Sequence, residues 1–371
     1  MNKLQTAAVV ALSLLAVPSS FPTFIDKSDL ETLAAQARQD ADAPALGLVV
    51  IRNGVEPELA VDGVRIFGND AVVTSKDKWH WGSITKSMTA TLVARLVEKD
   101  IISWDDTIDA HLGKSVPQMQ DAYRDVTFRH LLMHRGGLAA NIPIKRFAEF
   151  GQAPEDPISD RLKWVRIALS QSPIGPKETK YAYSNNGYIV VGAMLEAATG
   201  ESWESLIKRE VFTPLKLTGA GFGAPNGKQP FDQPRGHQKV SDVDKAVPLN
   251  VDNPAALGPA GRVHMPLADM ARYLLVHASQ RTDFLSPESY NILHTASLGG
   301  NYAMGWVVTK PEKRWHNGSN TMWYAEVAFN LAEGTAAAVV VNDGDRASVQ
   351  TAVRELLRKL MEKQKKEAEG D

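Results

Sequence analysis

The 371-residue chain contains no cysteine. That absence excludes disulfides, zinc–thiolate centres, a cysteine nucleophile and a lipid anchor attached through cysteine. Neither charge is in excess: 41 Lys and Arg stand against 43 Asp and Glu, a formal net charge of −2. No basic field exists to hold nucleic acid or an acidic membrane surface, and runs of basic residues are confined to the mixed tail Glu362-Lys363-Gln364-Lys365-Lys366-Glu367. Internal repeats and low-complexity segments are missing too.

Long hydrophobic runs are also scarce. The stretch Ala7 to Val17 is too short to span a bilayer, but with Lys3 before it and Ser19 and Ser20 after it the composition is that of a secretory leader. Residues 1–20 are therefore expected to be a signal peptide. The expected destination is periplasmic or secreted, with no membrane span once the signal is removed. The remainder, from a chain that is 44% hydrophobic and 23% charged, suffices for one large domain or two intimate ones.

In chain order, Lys27 to Ala41 has the spacing of an amphipathic helix. Leu46 to Arg52 and Pro57 to Ile66 read as strands joined at Asn53-Gly54. From Asp100 to about Gly261 helical patterns and loops prevail: Val126 to His134, Leu162 to Leu169, Ile189 to Thr199 and Glu201 to Phe212 read as helices. Thr218 to Ala260 is irregular and rich in Gly, Pro and Asn. Strands return at Tyr302 to Thr309, Arg314 to His316, Trp323 to Asn330 and Thr335 to Val341, and a helix from Ser348 to Met361 closes the chain. This pattern predicts an α+β fold with an antiparallel sheet built from both ends (residues 24–98 and 262–371) and a mainly helical domain inserted at 99–261.

The stretch Trp81-Gly82-Ser83-Ile84-Thr85-Lys86-Ser87-Met88 puts a serine at the start of an apolar helical run. Residues three apart share a helix face, so the Ser83 hydroxyl and the Lys86 amine can enter one cleft. Lysine can then act as the base that serine needs, provided its surroundings lower its pKa from about 10.4. The pattern itself is cheap: Ser75/Lys78, in a charged turn, and Ser205/Lys208, inside a helix, share it. His130 and His134 stand four apart as two metal ligands would, but Leu131 occupies the place of a zinc hydrolase's glutamate, so core or capping roles are the expectation.

Three signals occur in order: Ser83-x-x-Lys86, Tyr183-Ser184-Asn185 and His316-Asn317-Gly318. As a set they resemble the penicillin-recognising serine hydrolases: class C β-lactamases, DD-peptidases and related esterases and D-amino-acid peptidases. Leu96 to Ile108, Val126 to Leu138, Gly258-Pro-Ala-Gly261 and Tyr302-Ala-Met-Gly-Trp306 have counterparts there as well. The resemblance covers nearly all of the chain from about residue 24 and implies a β-lactamase/transpeptidase-like fold. Carried over by position, it implies that Ser83 is the acyl-accepting nucleophile and Lys86 its proton partner. Tyr183 shuttles the proton to the leaving group, Asn185 holds the lysine and the substrate amide, and the Ser319 N–H, beside Gly318, joins that of Ser83 in the oxyanion hole. A phenol near two cations is expected to ionise below its ordinary value of about 10.

His316 departs from the lysine that many relatives carry, which favours the peptidase and esterase branches over carboxylate-binding β-lactamases. The expected function is a serine hydrolase cleaving an ester or amide through an acyl-enzyme, esterase or D-Ala-D-Ala peptidase-like, with a small-molecule or peptide substrate. The alternatives are a true β-lactamase, or a catalytically silent relative that binds peptides or a partner. No cofactor or metal is required. Arg135 and Arg262 are expected on the solvated surface.

Overall fold

The computed structural model describes residues 27–369 apart from positions 226, 228, 230 and 345, so the leader-like residues 1–20 lie outside the described residues. The strands are β1 (Ala45–Ile51), β2 (Glu58–Gly63), β3 (Lys78–His80), β4 (Gly221–Phe222), β5 (His237–Val240), β6 (Val243–Ala246), β7 (Val263–Pro266), β8 (Val307–Lys310), β9 (Lys313–Ser319), β10 (Tyr324–Asn330) and β11 (Thr335–Val341). Six of them form an antiparallel sheet in the order β2-β1-β11-β10-β9-β8. Both ends of the chain thus meet at its centre, where Leu48 of β1 lies opposite Val339 of β11.

The longer helices are α1 (Lys27–Ala41), α2 (Thr85–Val97), α3 (Pro157–Ser170), α4 (Asn185–Thr199), α5 (Leu267–Ala278) and α6 (Ala347–Glu369), of which α1, α5 and α6 pack directly on the sheet. Leu46, Leu48 and Val50 point from one face of β1 into a core shared with α1 and α6. Ala45, Val49 and Ile51 point from the other into a larger core that holds α2 and α5. Covered on both faces, β1 and β11 read as unbroken apolar runs, and each buried Val or Leu contributes about 1.5–3 kcal/mol. Nearer the edge, β9 keeps a period of two. Arg314, His316 and Gly318 are buried and their neighbours half-buried, which turns His316 and Gly318 toward the interior.

Buried nearly all round, α2 packs against the helices of the middle segment, and the 3₁₀ turn that opens it abuts β9 and β10. Its hydroxyls are satisfied internally or by neighbouring backbone: Thr89 Oγ1 donates to Pro259 O, Ser87 Oγ to Ile84 O, and Thr85 Oγ1 accepts the Val263 N–H. A helix so enclosed holds its side chains in fixed rotamers.

Several segments differ from the sequence reading. The helix expected from Val126 to His134 spans only Phe128–Leu132, because His134 adopts a left-handed φ of 58° and ends it. The helix expected from Glu201 to Phe212 divides into Trp203–Ile207 and a π-helical turn at Lys208–Phe212. Within the stretch expected to be irregular, β5 and β6 form a hairpin. Helices α5 and Pro287–His294 have no counterpart in that reading.

Candidate active site

The approach to Ser83 is fixed first by backbone pairing. β3 pairs with β7, Trp81 N–H donates to Val263 O at 3.0 Å, and the Trp81 indole donates to Met265 O at 3.0 Å. Gly82 then takes a φ of +49°, and a 3₁₀ turn at Gly82–Ile84 leads into α2. A side chain at Gly82 is excluded twice, by this conformation and because its Cβ would lie 2.4 Å from Ser319 N. At Gly318 the exclusion is steric alone: a Cβ would lie 2.0 Å from Trp81 O and 2.9 Å from Ser83 N. The backbones bearing Ser83 and Ser319 are therefore in direct contact.

Lys86, one turn into the helix, is fully buried. Its Nζ lies 3.0 Å from Ser83 Oγ, 2.7 Å from Asn185 Oδ1 and 2.6 Å from Ala260 O. Asn185 is delivered by α4, whose N-cap Ser184 accepts the Gly187 N–H at 3.0 Å. Its amide is held from behind, donating to Asn141 Oδ1 at 3.0 Å. Tyr183 stands just before that cap, half-buried, its ring 4.8 Å from Lys86 Nζ and its phenol near enough to the Ser83 hydroxyl to be influenced by it. The structure thus brings Ser83, Lys86, Tyr183 and Asn185 together.

Burial lowers the Lys86 pKa well below its ordinary value. The Tyr183 and Tyr188 rings, 4.8 and 5.6 Å away, favour the charged form. That attraction is worth about 1–2 kcal/mol, less than the several kcal/mol of desolvating an ammonium. The neutral amine also fits the cage: two N–H groups serve Asn185 Oδ1 and Ala260 O, leaving the lone pair for the Ser83 hydroxyl. The expected acidification of Tyr183 between two cations is not found. Burial pushes its pKa up, against the lowering effect of Ser83, so the phenol keeps its proton.

His316 is the reason the second cation is missing. It is 2% exposed, and burial followed by repulsion from Lys86 lowers its pKa to about 3. Its Nδ1–H donates to Asn317 O at 2.5 Å, which leaves Nε2 to accept the Tyr302 hydroxyl at 2.9 Å. Arg262, expected in solvent, is 6% exposed and bonded to Asp252 and Gln152 O. Arg135 is half-buried and donates to the carbonyls of Glu178 and Gly299.

The two histidines considered as metal ligands diverge. His130 completes a capping box with Thr127 and meets Glu178 at 2.6 Å. His134 packs 4.3 Å from the Tyr183 ring and 4.6 Å from that of Tyr302, its Nδ1 accepting the Ser184 N–H at 3.1 Å. Among the described residues there is no cluster of three or more such ligands. His134, Tyr302 and the Ala260 carbonyl thus belong to the surroundings of the site without having been singled out for it. All three lie in stretches already noted, but a carbonyl's role leaves no trace in sequence.

The family model described as Beta-lactamase matches residues 30–360. A curated relative, penicillin-binding protein 4 of Amycolatopsis lactamdurans, is 29% identical over 70% of this chain and 65% of its own. An unguisins hydrolase of Aspergillus campestris is 24% identical over 73% of this chain and 53% of its own, so the chain spans between half and two thirds of these relatives. Among solved structures, the octameric penicillin-binding protein homologue from Pyrococcus abyssi superposes with a TM-score of 0.72 at 21% identity, covering 91% of this chain and 78% of that one. With a sheet made from both termini, a buried helix opening on Ser83-x-x-Lys86 and a match across almost the whole described chain, this protein belongs to the beta-lactamase family.

Proposed function

We propose that the protein is an exported serine hydrolase that cleaves an ester or neutral amide through an acyl-enzyme on Ser83. The observation that carries this reading is the fully buried Lys86 amine, 3.0 Å from Ser83 Oγ, whose burial lowers its pKa and favours the base form. As Ser83 Oγ attacks the substrate carbonyl, its proton passes to Lys86 Nζ. The oxyanion is met by the N–H groups of Ser83 and Ser319, whose backbones abut. Collapse breaks the bond to the leaving group, which takes the Tyr183 proton, and the phenolate regains one from the Lys86 ammonium. Water then attacks the acyl carbonyl and gives its proton to Lys86; collapse breaks the bond to Ser83 Oγ, which takes that proton back as the acid leaves.

The substrate class follows from charge. His316 is neutral, and Arg135 and Arg262 are engaged with carbonyls and Asp252, so the site favours an acyl donor without a carboxylate over a penicillin or a free D-Ala terminus. Export rests on the composition of residues 1–20. The test is turnover of p-nitrophenyl butyrate, an amino-acid amide and nitrocefin by the native chain and by Ser83→Ala. Ester turnover well above that of nitrocefin, abolished by the substitution, is expected. Turnover that survives Ser83→Ala sinks the reading.

A further inference from the structure

A second buried polar cluster stands behind these two amides. Asp252, whose side chain is 0% exposed, lies in the loop before the 3₁₀ turn Ala255–Leu257. Its Oδ2 is 3.0 Å from His80 Nε2 and 3.3 Å from Arg262 Nε. Its Oδ1 accepts from Asn320 Nδ2 at 2.8 Å and from the Asn253 N–H at 2.7 Å. Burial works against the ionised form, but His80, Arg262 and Asn320 outweigh it and bring the carboxyl to about 2.

The attachment points give this cluster its meaning. His80 precedes Trp81 and Gly82, and Asn320 directly follows Ser319. A carboxylate only accepts, so His80 carries its proton on Nε2 and leaves Nδ1 bare. The Gly82 N–H, 3.1 Å away, donates to that Nδ1. The peptide entering Ser83 is thereby held in its left-handed turn. On the other side, Asn320 gives one hydrogen to Asp252 and accepts the Met322 N–H at 3.2 Å, which fixes the chain leaving Ser319.

We infer that Asp252 is a positioning residue: through His80 and Asn320 it sets the orientation of the Ser83 and Ser319 amides that meet the oxyanion. The inference rests on the acyl-enzyme reading above. Asp252 itself touches no substrate in this account. Its effect is on the transition state, where both amides are needed, and much less on ground-state binding.

The test is Asp252→Asn. The amide keeps an acceptor for Asn320 but sets N–H against His80 Nε2–H. His80 can answer only by moving its proton to Nδ1, which removes the acceptor from the Gly82 N–H. The expected result with p-nitrophenyl butyrate is a kcat about 10–100-fold lower with KM within about threefold. An arylboronic acid, which forms a tetrahedral adduct on serine, should weaken by a similar factor. A purely structural role moves the melting temperature but not the kcat-to-KM split or the boronate affinity. Should Asp252→Asn not fold, His80→Phe carries the test, since it keeps a ring and removes the acceptor; the same kcat loss is expected. If the native chain is active and a folded variant keeps native kcat and boronate affinity, this inference is overturned and the acyl-enzyme reading stands. If the native chain neither turns over ester nor binds boronate, that reading falls and takes this one with it.

Discussion

A neutral Lys86 amine has two hydrogens to give and one lone pair to offer, and the Asn185 and Ala260 oxygens with the Ser83 hydroxyl match that division. Removing the amine by Lys86→Met is expected to lower kcat for p-nitrophenyl butyrate by about 10³-fold, measured in steady state. The base form is lost when Lys86 is protonated, so kcat/KM should fall as pH drops through a folded-state pKa that burial has set well below the ordinary lysine value. A flat profile on the acid side contradicts the assignment. In the proposed mechanism Tyr183, with its pKa raised, acts as an acid toward the leaving group. Tyr183→Phe is therefore expected to slow amide cleavage by about 10²-fold or more while costing a p-nitrophenyl ester, whose leaving group needs no proton, less than about tenfold. Equal losses on both substrates sink that role. At this scale, spacing offered Ser83 and Lys86 as one of three such pairs, and the resemblance singled them out and supplied Tyr183 and Asn185. The protonation states were not legible, because desolvation depends on neighbours such as Tyr188, Ala260 and Tyr302 that come from far along the chain.

The elements matter through the places where they touch. β9 and the turn into α2 are pressed so closely at Gly82 and Gly318 that neither position has room for a methyl group. Gly318→Ala is expected to cost about 1–3 kcal/mol of stability and, by pushing Ser319 away from Ser83, to reduce kcat by more than the loss of folded protein explains. Denaturant melts beside kinetics separate the two effects; native kcat in the folded fraction contradicts the claim. β11 and α1 match their sequence readings in full, because their spacing and bounding residues act locally. The β5–β6 hairpin was not legible: Ser241 and Asp242 turn it at φ of 53° and 62° without the usual glycine. The helix ending at Leu132 stops early because His134 is needed beneath Tyr183, a tertiary demand no local pattern carries.

In the whole molecule, burial holds a set of histidines uncharged: His264 at about 4, His277 and His316 at about 3, with His134 and His294 well below their ordinary value. An unfolded chain takes up protons on these groups below about pH 6.5, and the folded chain does not. Their contribution is present in full above that pH and is lost as pH falls toward the folded-state values, on the order of 1.4 kcal/mol per group per pH unit. Thermal melts from pH 7 to pH 4.5 should show a steep fall in melting temperature, and a melting temperature that stays level contradicts the neutral core. The architecture of strands from both ends was visible in the order of patterns. What joins them at the site was not: Asp252 and the Ala260 carbonyl come from the irregular stretch 218–260, where neither a buried carboxylate's partners nor a carbonyl's role can be read from spacing.

The central claim is that an uncharged Lys86 activates Ser83, and covalent labelling by a fluorophosphonate reads it most directly. Native chain and Lys86→Met, both verified as folded, are labelled across pH and digested for mass mapping. The account predicts one adduct, on the peptide bearing Ser83, forming faster as pH rises in the native chain and at least about 10²-fold more slowly in the variant. Labelling of Lys86→Met at the native rate, or an adduct on another serine, contradicts it.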